Sequence, residues 1–147
     1  MRGGRSLGKP ARCRGKPAGC RMSRKDDDTS RKARGARAEA LAAAFLEKQG
    51  LRVIERNWRC RFGELDLVLR EGDMIVMAEV RLRTHSAFGG AAASIDHRKQ
   101  AKLAATARAY LAGLANSADR PCRFDVILMA DDEGRDIEWI RNAFDAP

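Results

Sequence analysis

The sequence lacks the usual means of holding a zinc ion or crossing a membrane. Its 147 residues include only two histidines and four cysteines, and Cys13, Cys20, Cys60 and Cys122 show no C-x-x-C spacing. A four-ligand zinc site is therefore not expected, and reduced thiols in a cytoplasmic protein are the default. No apolar run is long enough for a signal peptide or a membrane span, so no membrane partner is expected. The two tryptophans, Trp58 and Trp139, read as core or edge residues rather than as platforms for stacked bases.

Charge is abundant but unevenly placed. The formal net charge is +9, which taken alone suggests a nucleic-acid partner. Residues 1–34 hold twelve Lys and Arg against three Asp, whereas residues 35–147 hold seventeen of each sign. The whole excess therefore belongs to the N-terminal stretch, and residues 35–147 form a balanced globular domain. Residues 1–34 are rich in Gly, Pro, Arg and Lys and nearly free of large apolar side chains, so they are expected to be a disordered basic tail. The simpler reading of this tail is a solvated extension, or a true start at Met22. The functional reading is a basic arm that grips phosphates. Asp26–Asp28 and the lack of an amphipathic apolar face argue against a transit peptide.

Within the domain, "GARAEALAAAFLEKQ" (35–49) predicts a helix with Ala38, Leu41, Ala42, Phe45 and Leu46 on its apolar stripe, Glu39 at its border and Gly50 as its cap. "LRVIERNWRCR" reads as a first strand with Asn57 as a break point. "GELDLVLRE" alternates as a half-buried strand, and "MIVMAEVR" is apolar on both faces, as a central strand would be. A Gly- and Ala-rich loop leads to a helix from about Asp96, capped by Ser94 or Asp96, with Leu103, Ala107, Tyr110, Leu111 and Leu114 buried. "RFDVILM" and "IEWI" read as the last two strands. The order α-β-β-β-α-β-β predicts an α/β fold with a mixed five-stranded sheet flanked by helices.

Acidic residues inside the second and third strands raise a chemical question. A two-residue turn at Gly72-Asp73 pairs Glu71 with Met74, and the same register sets Asp66 directly opposite Glu79. Facing carboxylates, roughly 4.5–5.5 Å apart at Cβ, destabilise a sheet. A divalent cation relieves that repulsion: Mg²⁺ favours one or two carboxylates together with water and phosphate oxygens. Arg81 falls on the same face as Glu79 and suits a phosphate. Phosphodiester cleavage is one reading of this set. A surface ion-pair ladder with a Glu64–Arg81 salt bridge is the other, and a slip of two places would set Glu79 opposite Glu64 instead.

The ordered segments "GARAEALAAAFLEKQG", "ERNWRCRFGELDLVLREGDMIVMAEVRLR", "AFGGAAASIDHRKQAKLAATARAYL", "RFDVIL" and "IRNAF" resemble the YraN family of small bacterial proteins. Through G-E-L-D and E-V-R, the chain also resembles the PD-(D/E)xK core of restriction-endonuclease-like proteins, which are related to archaeal Holliday-junction resolvases. The resemblance implies a metal-dependent endonuclease acting on nucleic acid, DNA in preference to RNA, with branched or damaged structures as candidate substrates and Mg²⁺ or Mn²⁺ as cofactor. It implies metal binding by Asp66, Glu79 and Glu39, with Arg81 and Gln100 completing the catalytic set. Related resolvases act as dimers, which makes a homodimer a candidate state. The superfamily motif has Lys where this chain has Arg81, and a guanidinium stays protonated, so Arg81 would act by stabilising charge. Arg98, Lys99 and Lys102 are candidate contacts to the nucleic-acid backbone, and Gly89 and Gly90 could let backbone amides approach a phosphate. A solvated helix face and a plain turn are the plain alternatives for these residues. A nucleic-acid-binding or assembly protein that keeps the fold without efficient cleavage is the competing function.

Overall fold

The computed structural model describes residues 24–83, 95–115 and 120–145. Seven elements follow in the expected order: α1 (Arg24–Lys48), β1 (Arg52–Cys60), β2 (Gly63–Glu71), β3 (Met74–Leu82), α2 (His97–Ala112), β4 (Cys122–Met129) and β5 (Glu138–Phe144). The strands form one mixed sheet in sequential order, antiparallel throughout except for the parallel β3–β4 pair that α2 connects. Among the described residues no helix is long and apolar enough to cross a membrane.

Each face of the sheet is covered by one helix. Ala38, Ala42, Ala43 and Leu46 of α1 pack with Leu67, Leu69, Val76, Ala78, Ile127 and Met129. Leu103, Ala104, Ala107 and Tyr110 of α2 pack with Leu65, Val68, Ile75, Met77, Phe124 and Val126 on the other side. Residues Leu65–Leu69 are consequently all buried, which corrects the half-buried strand expected there. Strand periodicity shows one apolar face, but with a helix on each side both faces are dry.

α1 starts eleven residues before Gly35, where disorder through residue 34 was expected. These early turns bury nothing large. They carry Asp26 and Asp27 in the first turn, where the helix dipole favours negative charge, and the i,i+4 pairs Asp27–Arg31 (3.7 Å) and Asp28–Lys32 (3.9 Å). Once the buried stripe from Ala38 onward has nucleated the helix, adding turns is cheap.

The β2–β3 hairpin has the expected register, from Glu71↔Met74 to Leu67↔Ala78. Gly72, first in the two-residue turn, has φ 59, as a primed turn requires at that position. β5 runs to Phe144, four residues beyond "IEWI". A buried carboxylate holds it: Asp125 on β4 accepts hydrogen bonds from Trp139 Nε1 (2.9 Å), from the Asn142 amide (2.9 Å) and from Arg123 Nε (2.9 Å). Asn142 has φ 48, and the β4–β5 register shifts between Phe124 and Val126, so Asp125 satisfies donors that an irregular ladder would leave bare. Trp58 meets Tyr110 edge to face at 5.2 Å, and Trp139 meets Phe45 at 6.4 Å; both tryptophans belong to the packing.

Candidate active site

The site lies where the sheet loosens. β2 pairs with β1 at Arg56↔Leu67 and Trp58↔Leu65, and Asn57 between them has φ 52. Asp66, opposite Asn57, stands just past the last β2–β3 pair, Leu67↔Ala78. There a side chain takes over from the backbone, and Asp66 Oδ2 accepts a hydrogen bond from the Val80 amide at 2.9 Å. Strict alternation also fails here, since Leu65 packs under α2 while Leu67 packs under α1. The expected direct Asp66–Glu79 ladder pair is thus replaced by a carboxylate leaning across to the β3 backbone.

Glu79 is 8% exposed and Asp66 9%. Burial pushes the Asp66 carboxyl up to about 7; the Glu79 charge adds to the rise, the Val80 amide opposes it, and Glu39 and Lys99 contribute smaller effects of opposite sign. Glu79 Oε1 lies 3.0 Å from Lys99 Nζ and 3.6 Å from Arg81 Nε. Its other oxygen, Oε2, is buried with no hydrogen-bond partner among the described residues. An unpaired buried carboxylate oxygen is costly, so it is an observation to be explained.

The other candidates fall in distinct places. Glu39 on α1 is half-buried and within Coulombic range of Asp66. It lines a groove of about 450 Å³ between α1 and the β1–β2 hairpin, together with Lys32, Asn57 and Arg59. Among the described residues no three His, Cys, Asp or Glu side chains converge as a metal-binding cluster, and Asp66 feels the Glu79 charge more strongly than that of Glu39. Gln100 uses its side-chain nitrogen to bind the Ile95 carbonyl at 3.0 Å, fixing the chain as it enters α2. Asp96 caps that helix, accepting from the Lys99 amide at 2.7 Å. Arg98 and Lys102 are exposed, whereas Lys99 turns inward to Glu79. Gly89 and Gly90 lie outside the described residues, as does Ser94.

The alternative ion-pair ladder does not form: Glu64 pairs with Arg59 at 2.9 Å, and Arg81 reaches Glu79 on its own strand. The inward turn of Lys99 is the feature that sequence spacing could not reveal. It depends on how α2 crosses the sheet, and Gly63 sets part of that approach. Gly63 has φ 154, and a Cβ there would stand 3.0 Å from Thr106 Oγ1 of α2.

Comparison with known proteins shows the family. The profile of the uncharacterised protein family UPF0102, the family also known as YraN, matches residues 38–129. A UPF0102 protein of Nitrosomonas europaea is 55% identical over 112 residues, covering 76% of this chain and 93% of that protein. Another, from Pseudomonas savastanoi pv. phaseolicola, is 49% identical over 120 residues, 80% of this chain and 98% of its own. A third, from Nitrosospira multiformis, is 51% identical over 112 residues, 76% and 92% of the two chains. The profile covers more than half of the chain and these relatives are matched over nearly their whole length, so the chain belongs to the UPF0102 family.

Proposed function

We propose that the protein is a metal-dependent endonuclease that hydrolyses phosphodiester bonds in DNA. The observation that carries this reading is the Asp66–Glu79 pair. One carboxyl is raised to about 7 by burial and by its neighbour, and the other has a buried oxygen without a donor among the described residues. Structural carboxylates in this fold look different, as Asp125 with its full set of donors shows. Asp66 and Glu79 fit a hard divalent cation such as Mg²⁺ or Mn²⁺, which needs only one or two carboxylates when water and phosphate oxygens complete its shell. Such an ion would supply Lewis acidity at the phosphate and lower the pKa of a bound water. The protein's own groups do the rest. The Val80 amide fixes the Asp66 carboxylate, Arg81 offers a permanently charged guanidinium, and Glu39 extends the negative field towards the groove.

One observation favours a second reading, a nucleic-acid-binding protein of the same fold without cleavage. Lys99 already neutralises part of the Glu79 charge. A panel of branched, linear and single-stranded DNA, incubated with Mg²⁺ or Mn²⁺ and with EDTA, separates the two. The nuclease reading expects nicking that needs the metal and disappears in Asp66→Asn. Retained nicking in that variant, or binding of the panel with no cleavage, overturns it.

A further inference from the structure

Two cations reach the same carboxylate oxygen from two different elements. Arg81 comes from β3, two residues beyond Glu79, and places Nε at 3.6 Å from Oε1. Lys99 comes from the first turn of α2 and is closer, with Nζ at 3.0 Å. Of the three basic residues near the start of that helix, Arg98 and Lys102 are exposed and Lys99 is half-buried. A lysine that only solvates a helix face keeps its ammonium in water, because moving it toward a dry interior costs free energy. The turn that carries Lys99 is also unusually well fixed. Asp96 accepts from the Lys99 amide at 2.7 Å, Gln100 binds the Ile95 carbonyl at 3.0 Å, and Leu103, one turn further on, is buried in the core.

We propose that Lys99 is a catalytic residue of this site, whose ammonium donates to a phosphoryl oxygen as negative charge builds during cleavage. The assignment rests on the nuclease reading above. In the hydrolysis a water oxygen bonds to phosphorus and the bond from phosphorus to the leaving sugar oxygen breaks. The water gives up a proton to solvent and the leaving oxygen takes one from solvent, so the products are a phosphomonoester and an alcohol. Charge accumulates on the phosphoryl oxygens along the way. Lys99 keeps its proton throughout. An ammonium has three N–H donors that rotate freely, so one can stay on Glu79 while another meets the phosphate. Arg81 is exposed to the same degree as Lys99, 35% against 37% of the side chain, but stands farther from Oε1, so it plays the lesser part at the phosphate.

Single-turnover cleavage with Mg²⁺ tests this in the full chain, using Lys99→Met, Lys99→Gln, Arg81→Lys and the double variant Lys99→Met/Arg81→Lys, with Asp66→Asn as the inactive control. Binding of the same labelled DNA is measured in the Asp66→Asn background, with and without Lys99→Met. Loss of one transition-state donor predicts a rate lower by roughly 10²–10³ for both neutral variants. Affinity in the Asp66→Asn background should stay within about twofold, the part a phosphate-gripping or structural lysine would change. Arg81→Lys should restore part of the rate to Lys99→Met, because the strand position reaches the same oxygen. If Lys99→Met fails to fold, Lys99→Gln carries the comparison, with melting temperature as the check. Wild-type rates in the neutral variants while Asp66→Asn is dead overturn the assignment and leave the nuclease standing. So does a rate loss matched by an equal loss of affinity. If wild type and Asp66→Asn behave alike, the nuclease reading itself fails, and Lys99 has no catalytic role.

Discussion

Two buried carboxylates, Asp66 and Asp125, differ in ways that predict opposite responses to loss of the carboxylate. Asp66 is held by one backbone amide and feels the Glu79 charge, and its carboxyl is raised to about 7. In the unfolded chain it would titrate near its ordinary value of about 4. Between those two values the folded protein holds a proton that the unfolded chain has already released. Stability is therefore fully present below about pH 4 and falls as pH rises through about 7. At roughly 1.4 kcal/mol per pH unit, the loss amounts to a few kcal/mol. Asp66→Asn cannot ionise, so it should melt above the wild type at pH 8, and the difference should vanish near pH 4. Mg²⁺ should raise the wild-type melting temperature at pH 8 by mass action and leave the variant unmoved. Thermal melts at the two pH values, with and without metal, measure all three effects. Equal metal responses in the two proteins would remove the shared-ion idea.

At the scale of elements, Asp125 is the pin between β4 and β5. Its side chain is fully buried, and its donors come from Arg123, Trp139 and the Asn142 backbone. Removing it strands Arg123, which also binds Glu71, beside a ladder that cannot supply replacements. Asp125→Ala should cost about 3–5 kcal/mol, the range for breaking a buried charged pair on one side. Urea melts should show a large drop in midpoint with little change in slope. What the sequence made legible follows the same logic of local and non-local causes. The β2–β3 register could be read because a two-residue turn at Gly72-Asp73 fixes it, and the helix stripes could be read because packing follows their period. The opening of the ladder at Asp66 could not, since the sequence marks Asn57 as a break point without showing that its positive φ would fall beside Asp66. Nor could the inward turn of Lys99, because the packing of Gly63 against Thr106 helps set where α2 lies. The run of β5 past "IEWI" depends on Asp125, a residue on another strand. In each case the missing information was a contact between elements distant in sequence.

At the scale of the whole molecule, charge and fold are separated along the chain. Residues 1–34 carry the entire net +9, while the buried stripe of α1 begins only at Ala38. Residues 24–34 extend the helix by roughly 15 Å beyond that core, at 1.5 Å per residue. Among the described residues, the one ion pair they make outside their own helix is Arg34 to Asp132 at 3.8 Å, a long contact from a half-exposed arginine that contributes little to stability. Yet Lys32 lines the groove that Glu39 shares, so under the proposed nuclease reading this extension would meet a nucleic acid lying in that groove. Deleting residues 1–34 should therefore leave a cooperative melt near the full-length temperature and change binding instead. If about half of the twelve basic residues release counterions on duplex DNA, the slope of log affinity against log salt should flatten by roughly 5. The cleavage rate of saturated complexes should stay the same, because Asp66, Glu79 and Lys99 all remain. Titrations of both proteins across a salt series, paired with single-turnover rates, decide the matter. An unchanged slope would show that the basic stretch does not touch the nucleic acid, and a lost melting transition would show that it is part of the fold.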